Sequence, residues 1–142
     1  MTLEIFERDR DATLNRALIV WLCRIAGLAM FGVGLVYWVR LIGVFDDPLW
    51  RFDLMPIWWR IAGPALAVLY PVAGVGLWLA TSWGGVIWVL VAACEAVMRV
   101  GFPHLFGADP LILGCHAFGL ALLAALRIVG ALERRRAMRR DR

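Results

Sequence analysis

The sequence contains no lysine, only three cysteines and no glycine-rich phosphate loop. Cys23, Cys94 and Cys115 lie in apolar runs without CxxC spacing, so they are expected to be small buried hydrophobic residues rather than a redox pair. The two GVG triplets, 32–34 and 74–76, lie in the middle of apolar runs, where close helix packing accounts for them. These absences leave no motif for phosphate binding or paired-cysteine chemistry.

Acidic residues are the minority charge, and the basic surplus lies at one end of the chain. The 15 arginines and 11 acids give a net charge of +4, and most of the surplus is in the last ten residues, ERRRAMRRDR. Such a tail beside an apolar run orients a membrane protein, so no nucleic-acid partner is expected. The first 16 residues have mixed charge and no small-x-small site follows the next run, so a cleaved signal peptide is not expected.

Hydrophobic residues are present in excess. They make up 63% of the chain, and the mean hydropathy is +0.77. Soluble domains contain roughly 45–50% apolar residues. The composition therefore predicts an integral membrane protein, and the length of 142 residues indicates one domain.

Four apolar runs are long enough to cross a bilayer core of about 30 Å as helices. Short loops join them, so consecutive helices run antiparallel, and each helix satisfies its own backbone hydrogen bonds. The sequence predicts an all-α fold, an integral membrane four-helix up-and-down bundle formed by a single domain. Its predicted parts are a short polar N-terminal segment 1–16, spans at about 17–45, 57–80, 86–102 and 111–132, and a basic C-terminal tail 133–142.

Proline, glycine and charge mark the expected irregularities. Pro64 and Pro71 should bend the second helix, because proline removes a backbone hydrogen bond. TSWGG, residues 81–85, is typical of a tight turn between the second and third spans. The polar segment 1–16 is expected to form a short helix on the membrane surface.

Arginine counts predict the orientation. Ten arginines flank the spans on the side of the two termini, against four on the other side, so both termini are expected in the cytoplasm of a bacterial cell, with the bundle in the inner membrane. Tryptophan prefers membrane interfaces and is expected to form two belts of four. The predicted inner belt is Trp21, Trp78, Trp83 and Trp88, and the outer belt is Trp38, Trp50, Trp58 and Trp59.

Ionisable residues inside the spans are the candidate site. Glu95 is the one acid within a span, and Arg99 follows it by four residues, which places both on one helical face. We expect Glu95 to be ionised and to pair with Arg99 and with Arg40 or Arg60 from a neighbouring helix. This predicted polar layer, completed by His116, is either an internal contact that holds the helices together or a small site for a proton or a polar ligand head.

Metal binding is not predicted. Cys94 and Glu95 are adjacent, as are Cys115 and His116, and adjacent residues point about 100° apart on a helix, so the four would not converge. No cofactor is predicted, although a quinone is compatible with the polar layer. No catalytic residue is assigned, and the chain is expected not to be an enzyme.

The first run, CRIAGLAMFGVGLVYWVRL, resembles the opening helix of the DoxX-like family of small four-helix membrane proteins. The family's arginine, glycine, phenylalanine, glycine and final basic residue match Arg24, Gly27, Phe31, Gly34 and Arg40, the last in place of the usual lysine. YPVAGVGLWLATSWGGVIWVLVAACEAV, residues 70–97, is similar to the glycine-rich second helix, turn and third helix, although the prolines of the second helix depart from the family pattern. Small uncharacterised proteobacterial membrane families fit the same pattern. The resemblance implies a bundle linked to redox or quinone-associated complexes, and it implies no catalytic residues.

Two functions are compatible with this sequence. Short loops and the lack of a complete catalytic constellation favour a non-catalytic accessory or assembly subunit of a membrane complex. The alternative is a binder of a small hydrophobic molecule, a quinone or a lipid, with a redox-associated role. Expected partners are a membrane protein or a second copy of the chain, and anionic lipids. The residues expected to contact anionic lipid are Arg134, Arg135, Arg136, Arg139 and Arg140.

Overall fold

The computed structural model of the protein describes residues 2–140, with the side chains of 14–136, 138 and 139. Helices comprise 83% of the 142 residues, and the described part of the chain contains no strands. Its elements are α1 (Thr2–Ile42), α2 (Ile57–Trp78), α3 (Ser82–Ala96), a π-helical segment (Val97–Gly101), a short α4 (Pro103–Phe106) and α5 (Pro110–Arg140).

Four helices in the described part of the chain are long and apolar enough to span a membrane. Helix α1 packs along α2, α2 packs on α3, and α5 contacts both α3 and α1. The predicted all-α four-helix membrane bundle is confirmed. The spanning stretches are Leu14–Ile42, Ile57–Trp78, Ser82–Gly101 and Pro110–Arg136. We call the end that carries residues 43–56 and 102–109 the loop end, and the opposite end, with residues 79–81, the turn end.

Helix α1 ends three residues before the predicted boundary of the first span. Gly43 has a φ of +78°, and its amide donates to the carbonyl of Val39 at 3.3 Å. A residue in the left-handed region ends a helix, and glycine adopts that conformation without a steric penalty. The apolar residues 44 and 45 therefore lie beyond the helix.

The predicted tight turn at 81–85 is wrong, because α3 already begins at Ser82. The turn comprises residues 79–81, and Ala80 has a φ of +52°. Gly84 packs directly on the backbone of Gly76, where an added Cβ would overlap. Gly84 therefore serves the close approach of two helices rather than a turn.

Two further expectations about the ends of helices need correction. Helix α1 runs unbroken from Thr2, so the predicted surface helix at 1–16 is continuous with the first span in residues 2–16. The side chains of 1–13 lie outside the described residues. Helix α5 likewise continues to Arg140, through most of the predicted tail.

Glycine and proline set the contact between α1 and α2. A Cβ on Gly27 would lie 2.7 Å from the carbonyl oxygen of Gly74, and one on Gly34 would lie 2.5 Å from Cγ of Pro71. The helices therefore approach closely at two levels, and α2 remains continuous through Pro64 and Pro71. Membrane helices associate through such small-residue contacts, because burial of apolar surface gains little in lipid.

The core lies along this contact and continues toward α3. Leu66, Ala73, Leu77 and Val91 are almost fully buried. Trp59 and Trp88 are also buried, at 6% and 4% exposure, so their rings pack within the bundle. The two tryptophan belts stay a prediction.

Candidate functional site

Glu95 is the centre of a buried polar cluster near the loop end. Its residue exposure is 0%, and its carboxylate accepts three hydrogen bonds. Oε1 accepts from the hydroxyls of Tyr37 and Tyr70, each at 3.1 Å, and Oε2 accepts from Nε of Arg99 at 2.6 Å. Three donors, one of them cationic, therefore engage both oxygens of the carboxylate.

Arg99 connects Glu95 to the membrane edge. It lies in the π-helical segment, one turn after Glu95, and its side chain is 11% exposed. Its Nη1 is 3.8 Å from Oδ2 of Asp109, whose side chain is 41% exposed. Asp109 also accepts from the amides of Leu111 and Ile112, which caps the start of α5 in front of Pro110. An ionic path therefore runs from the start of α5 to the buried carboxylate.

His116 extends the cluster away from the loop end, and its hydrogen bonds define its protonation. The indole N–H of Trp88 donates to Nδ1 at 3.0 Å, so Nδ1 carries no proton. Nε2 lies 3.2 Å from the hydroxyl of Tyr70, which uses its own proton toward Glu95. Nε2–H therefore donates to Tyr70, and His116 is neutral, because a charged imidazole would lose the bond from Trp88.

All four spanning helices contribute to this cluster. Tyr37 belongs to α1, Tyr70 to α2, Trp88 and Glu95 to α3, and His116 to α5. The tyrosine rings stack, with centroids 5.6 Å apart and planes at 21°. The hydrogen bonds therefore join every helix of the bundle to a single carboxylate.

Helix α5 has space for the Trp88 ring because Gly119 lies opposite it. A Cβ on Gly119 would lie 2.7 Å from the ring atoms Cη2 and Cζ2. His116 and Gly119 are three residues apart and share one face of α5. One face of α5 thus supplies both the acceptor for the indole N–H and the room for the ring.

Among the described side chains, Glu95 forms its ion pair with Arg99 and none with Arg40 or Arg60. The predicted pairing of Glu95 with Arg40 or Arg60 is therefore wrong. Arg60 donates to the carbonyls of Met55 and Asp53, at 2.8 and 2.6 Å. The two tyrosines already donate to Oε1, and Arg99 donates to Oε2. Neutral hydroxyls satisfy the carboxylate without the cost of burying a second cation.

Arg40 lies between aromatic rings. The centre of its guanidinium is 4.7 Å from the ring centroid of Trp50 and 5.6 Å from that of Tyr37. Its Nε is buried and has no acceptor among the described residues. This is a cation–π arrangement with one unused buried donor.

The sequence prediction missed Tyr37, Tyr70 and Trp88. A usable signal was present, because the chain has two tyrosines and both fall inside apolar runs. A buried hydroxyl in a membrane span needs an acceptor, and Glu95 is the acid available there. Their spacing along the chain does not show that both reach the same oxygen.

The cluster can hold a charge and fix the positions of helices, and on the side of His116 it ends at the indole N–H of Trp88, which can only donate. Cys94 is half-buried and Cys115 is exposed, so neither joins the cluster. The described side chains include no group of three or more histidines, cysteines and acids that could bind a metal. At the opposite end of α5, Arg134, Arg135, Arg136 and Arg139 are exposed, and the side chain of Arg140 lies outside the described residues.

A family model matches residues 17–134, and its description is a family of unknown function, DUF6163. No curated protein matches the chain, and no solved structure matches it. The match confirms the broader expectation of an uncharacterised family, while the closer resemblance to DoxX-like proteins stays a prediction.

Proposed function

This chain belongs to the DUF6163 family, and we propose that it is a non-catalytic accessory or assembly subunit of a protein complex in the bacterial inner membrane. The observation that carries this proposal is the use of the buried polar groups. Tyr37, Tyr70, Glu95 and His116 bond to one another across the four helices. Groups engaged in this way give the bundle a defined shape, because their polar atoms are bonded to one another.

The surface of the bundle also supports this function. Large apolar side chains are exposed along the spans, among them Ile25, Leu28, Val86 and Phe118. Such a surface suits lipid or the helices of a partner subunit. A partner subunit could pack against this apolar surface directly, without any further polar residue in the spans.

The proposed orientation places both termini in the cytoplasm. The turn end, with the last turns of α5, carries the excess of arginines, and the exposed residues of the tail can contact anionic lipid there. In a variant that lacks the native cysteines, a cysteine at His104 should react with an impermeant thiol reagent in intact cells. Labelling of a cysteine at Met138, in the tail, instead would reverse the orientation.

The subunit function is tested by purification from native membranes in a mild detergent, at the native expression level. We expect one protein partner in a fixed ratio and a particle larger than the 15.9 kDa chain. Tyr37→Phe and Glu95→Gln should weaken that assembly through the shape of the bundle, while Asp53→Asn on the loop should not. A chain that elutes alone, at full yield, would contradict the proposal.

A second candidate is a binder of a small hydrophobic molecule, a quinone or lipid with a redox-associated role, as the DoxX-like resemblance implies. The observation that favours it is Arg40, whose buried Nε lacks a protein acceptor beside the rings of Trp50 and Tyr37. A quinone carbonyl has the acceptor and the flat apolar ring that such a position fits. Organic extraction of the purified protein should then yield a quinone, and Arg40→Gln should remove it while the fold is kept.

A further inference from the structure

A groove on the lipid-facing side of α1 and α2 lies away from the polar cluster, at the turn end. Its volume is about 260 Å³, and its lining is entirely apolar. The backbones of Gly27 and Gly74 form its floor, and the exposed side chains of Phe31, Val75 and Trp78 form its walls. An acyl chain matches this shape and chemistry.

A cation lies beside this groove. Arg24 is exposed, and the centre of its guanidinium is 5.8 Å from the ring centroid of Trp78. No carboxylate among the described side chains lies within ion-pair distance of Arg24. The contact with Trp78 therefore directs a positive charge toward the wall of the groove without neutralising it.

The depth of Arg24 fits the edge of the bilayer. Gly27 lies one turn after Arg24 in α1. A Cβ on Gly27 would be 2.9 Å from the backbone nitrogen of Trp78, so these two residues lie side by side. Trp78 is the last residue of α2 before the turn at 79–81. Arg24 is therefore level with the place where two helices turn back, which is where lipid phosphates lie.

We propose that this groove binds one anionic phospholipid, with an acyl chain against Gly27 and Gly74 and the phosphate at Arg24. Charge complementarity selects the headgroup, because Arg24 has no acidic partner in the described structure. This site is separate from both functions proposed above and involves neither Glu95 nor Arg40.

Native mass spectrometry of the purified full-length chain tests the site. The protein is mixed with phosphatidylglycerol or with phosphatidylcholine of the same acyl chains, at equal concentration. We expect one bound lipid and a preference for phosphatidylglycerol. Arg24→Gln should reduce that preference about fivefold, the ratio that corresponds to about 1 kcal/mol for one arginine near anionic lipid.

Two matched pairs of variants separate this groove from general lipid contact. Arg134→Gln removes an arginine of the tail and should keep the preference that Arg24→Gln loses. Val75→Trp fills the groove and should abolish retention of the lipid, whereas Val86→Trp, on the exposed face of α3, should not. Helicity and elution volume check that each variant folds, and Val75→Trp tests the site even if Arg24→Gln does not fold.

Several results would overturn the proposal. One is equal binding of the two lipids by the wild-type chain, and another is an unchanged preference in Arg24→Gln. Displacement of the lipid by inorganic phosphate alone would assign Arg24 to a free anion, and retention of a quinone rather than phosphatidylglycerol would assign the groove to another ligand. A protein partner in the native complex is a separate measurement, so failure of the lipid site leaves the subunit function standing.

Discussion

The two ends of the bundle hold their helices together by different means. Near the loop end, Glu95 accepts bonds from Tyr37, Tyr70 and Arg99, so the contacts are directional and charged. Toward the turn end, α1 meets α2 backbone to backbone at Gly27 and Gly74. Helix contacts near the loop end therefore depend on hydrogen-bond donors and acceptors. Contacts toward the turn end depend on glycines, whose lack of a side chain lets two backbones approach.

This difference shows how a small membrane bundle specifies one arrangement of helices. Lipid is as apolar as the helix surfaces, so burial of apolar residues cannot choose between packings. Close glycine contacts set the distance between α1 and α2, and the carboxylate sets which faces of all four helices point inward. Each end should therefore respond to its own kind of substitution.

The largest effect is expected from Glu95→Gln. The change keeps the shape but leaves Arg99 without its buried partner, and breaking such a pair costs about 3 kcal/mol or more. The free energy of unfolding in mixed micelles should fall by that amount. The double variant Glu95→Gln with Arg99→Gln should recover part of the loss. If the single variant is as stable as wild type, the cluster does not hold the loop end together.

Gly27→Ala should be the most costly change among those aimed at the turn end. The added methyl group would overlap the Gly74 carbonyl, and overpacking of this kind costs about 1–3 kcal/mol. Gly32→Ala is the matched control, because a Cβ at Gly32 meets nothing within 4 Å. The control should be neutral or slightly stabilising, as alanine is the better helix former. Equal melting temperatures for the two variants would show that the close contact is unimportant.

Substitution of the two tyrosines tests how much their hydrogen bonds to Glu95 stabilise the loop end. Tyr70→Phe removes a donor to Glu95 and the acceptor of His116, so it should cost about 1–2 kcal/mol. Tyr37→Phe removes one bond and should cost about 0.5–1 kcal/mol. Unfolding of both variants in the same micelles gives the comparison. A larger cost at Tyr37 would mean that its stacking, and not the hydroxyl, is what matters.

The smallest effect is expected at the loop itself, where charges are exposed. Hydrogen bonds from Arg51 lower the pKa of Asp53 below its ordinary value. A lowered pKa stabilises the fold above the ordinary pKa, and that contribution is lost as the pH falls through the lowered value. Because the pair is solvated, Asp53→Asn should leave the melting temperature at pH 7 unchanged. A clear drop would place this loop within the structure that holds the bundle together.

Much of the architecture could be predicted from periodicity and length, whereas the site could be predicted only in part. Glu95 and Arg99 are four residues apart on one helix, and local geometry brings them together. The partners from other helices are 58 and 25 residues away from Glu95 along the chain. The charge and depth of Arg60 predict a pair with Glu95, but the guanidinium donates instead to the carbonyls of Met55 and Asp53, just before α2.

The sequence by itself determined that this chain is helical and belongs in a membrane, because every spanning segment must be apolar and must satisfy its own backbone. It also determined that a buried acid and an arginine share a helical face. Only the tertiary structure decided that two tyrosines, rather than a second arginine, donate to the carboxylate beside Arg99, and that Gly84 serves packing rather than a turn. Both outcomes depend on which faces of different helices meet. Residue spacing along the chain does not determine how far apart two separate helices lie.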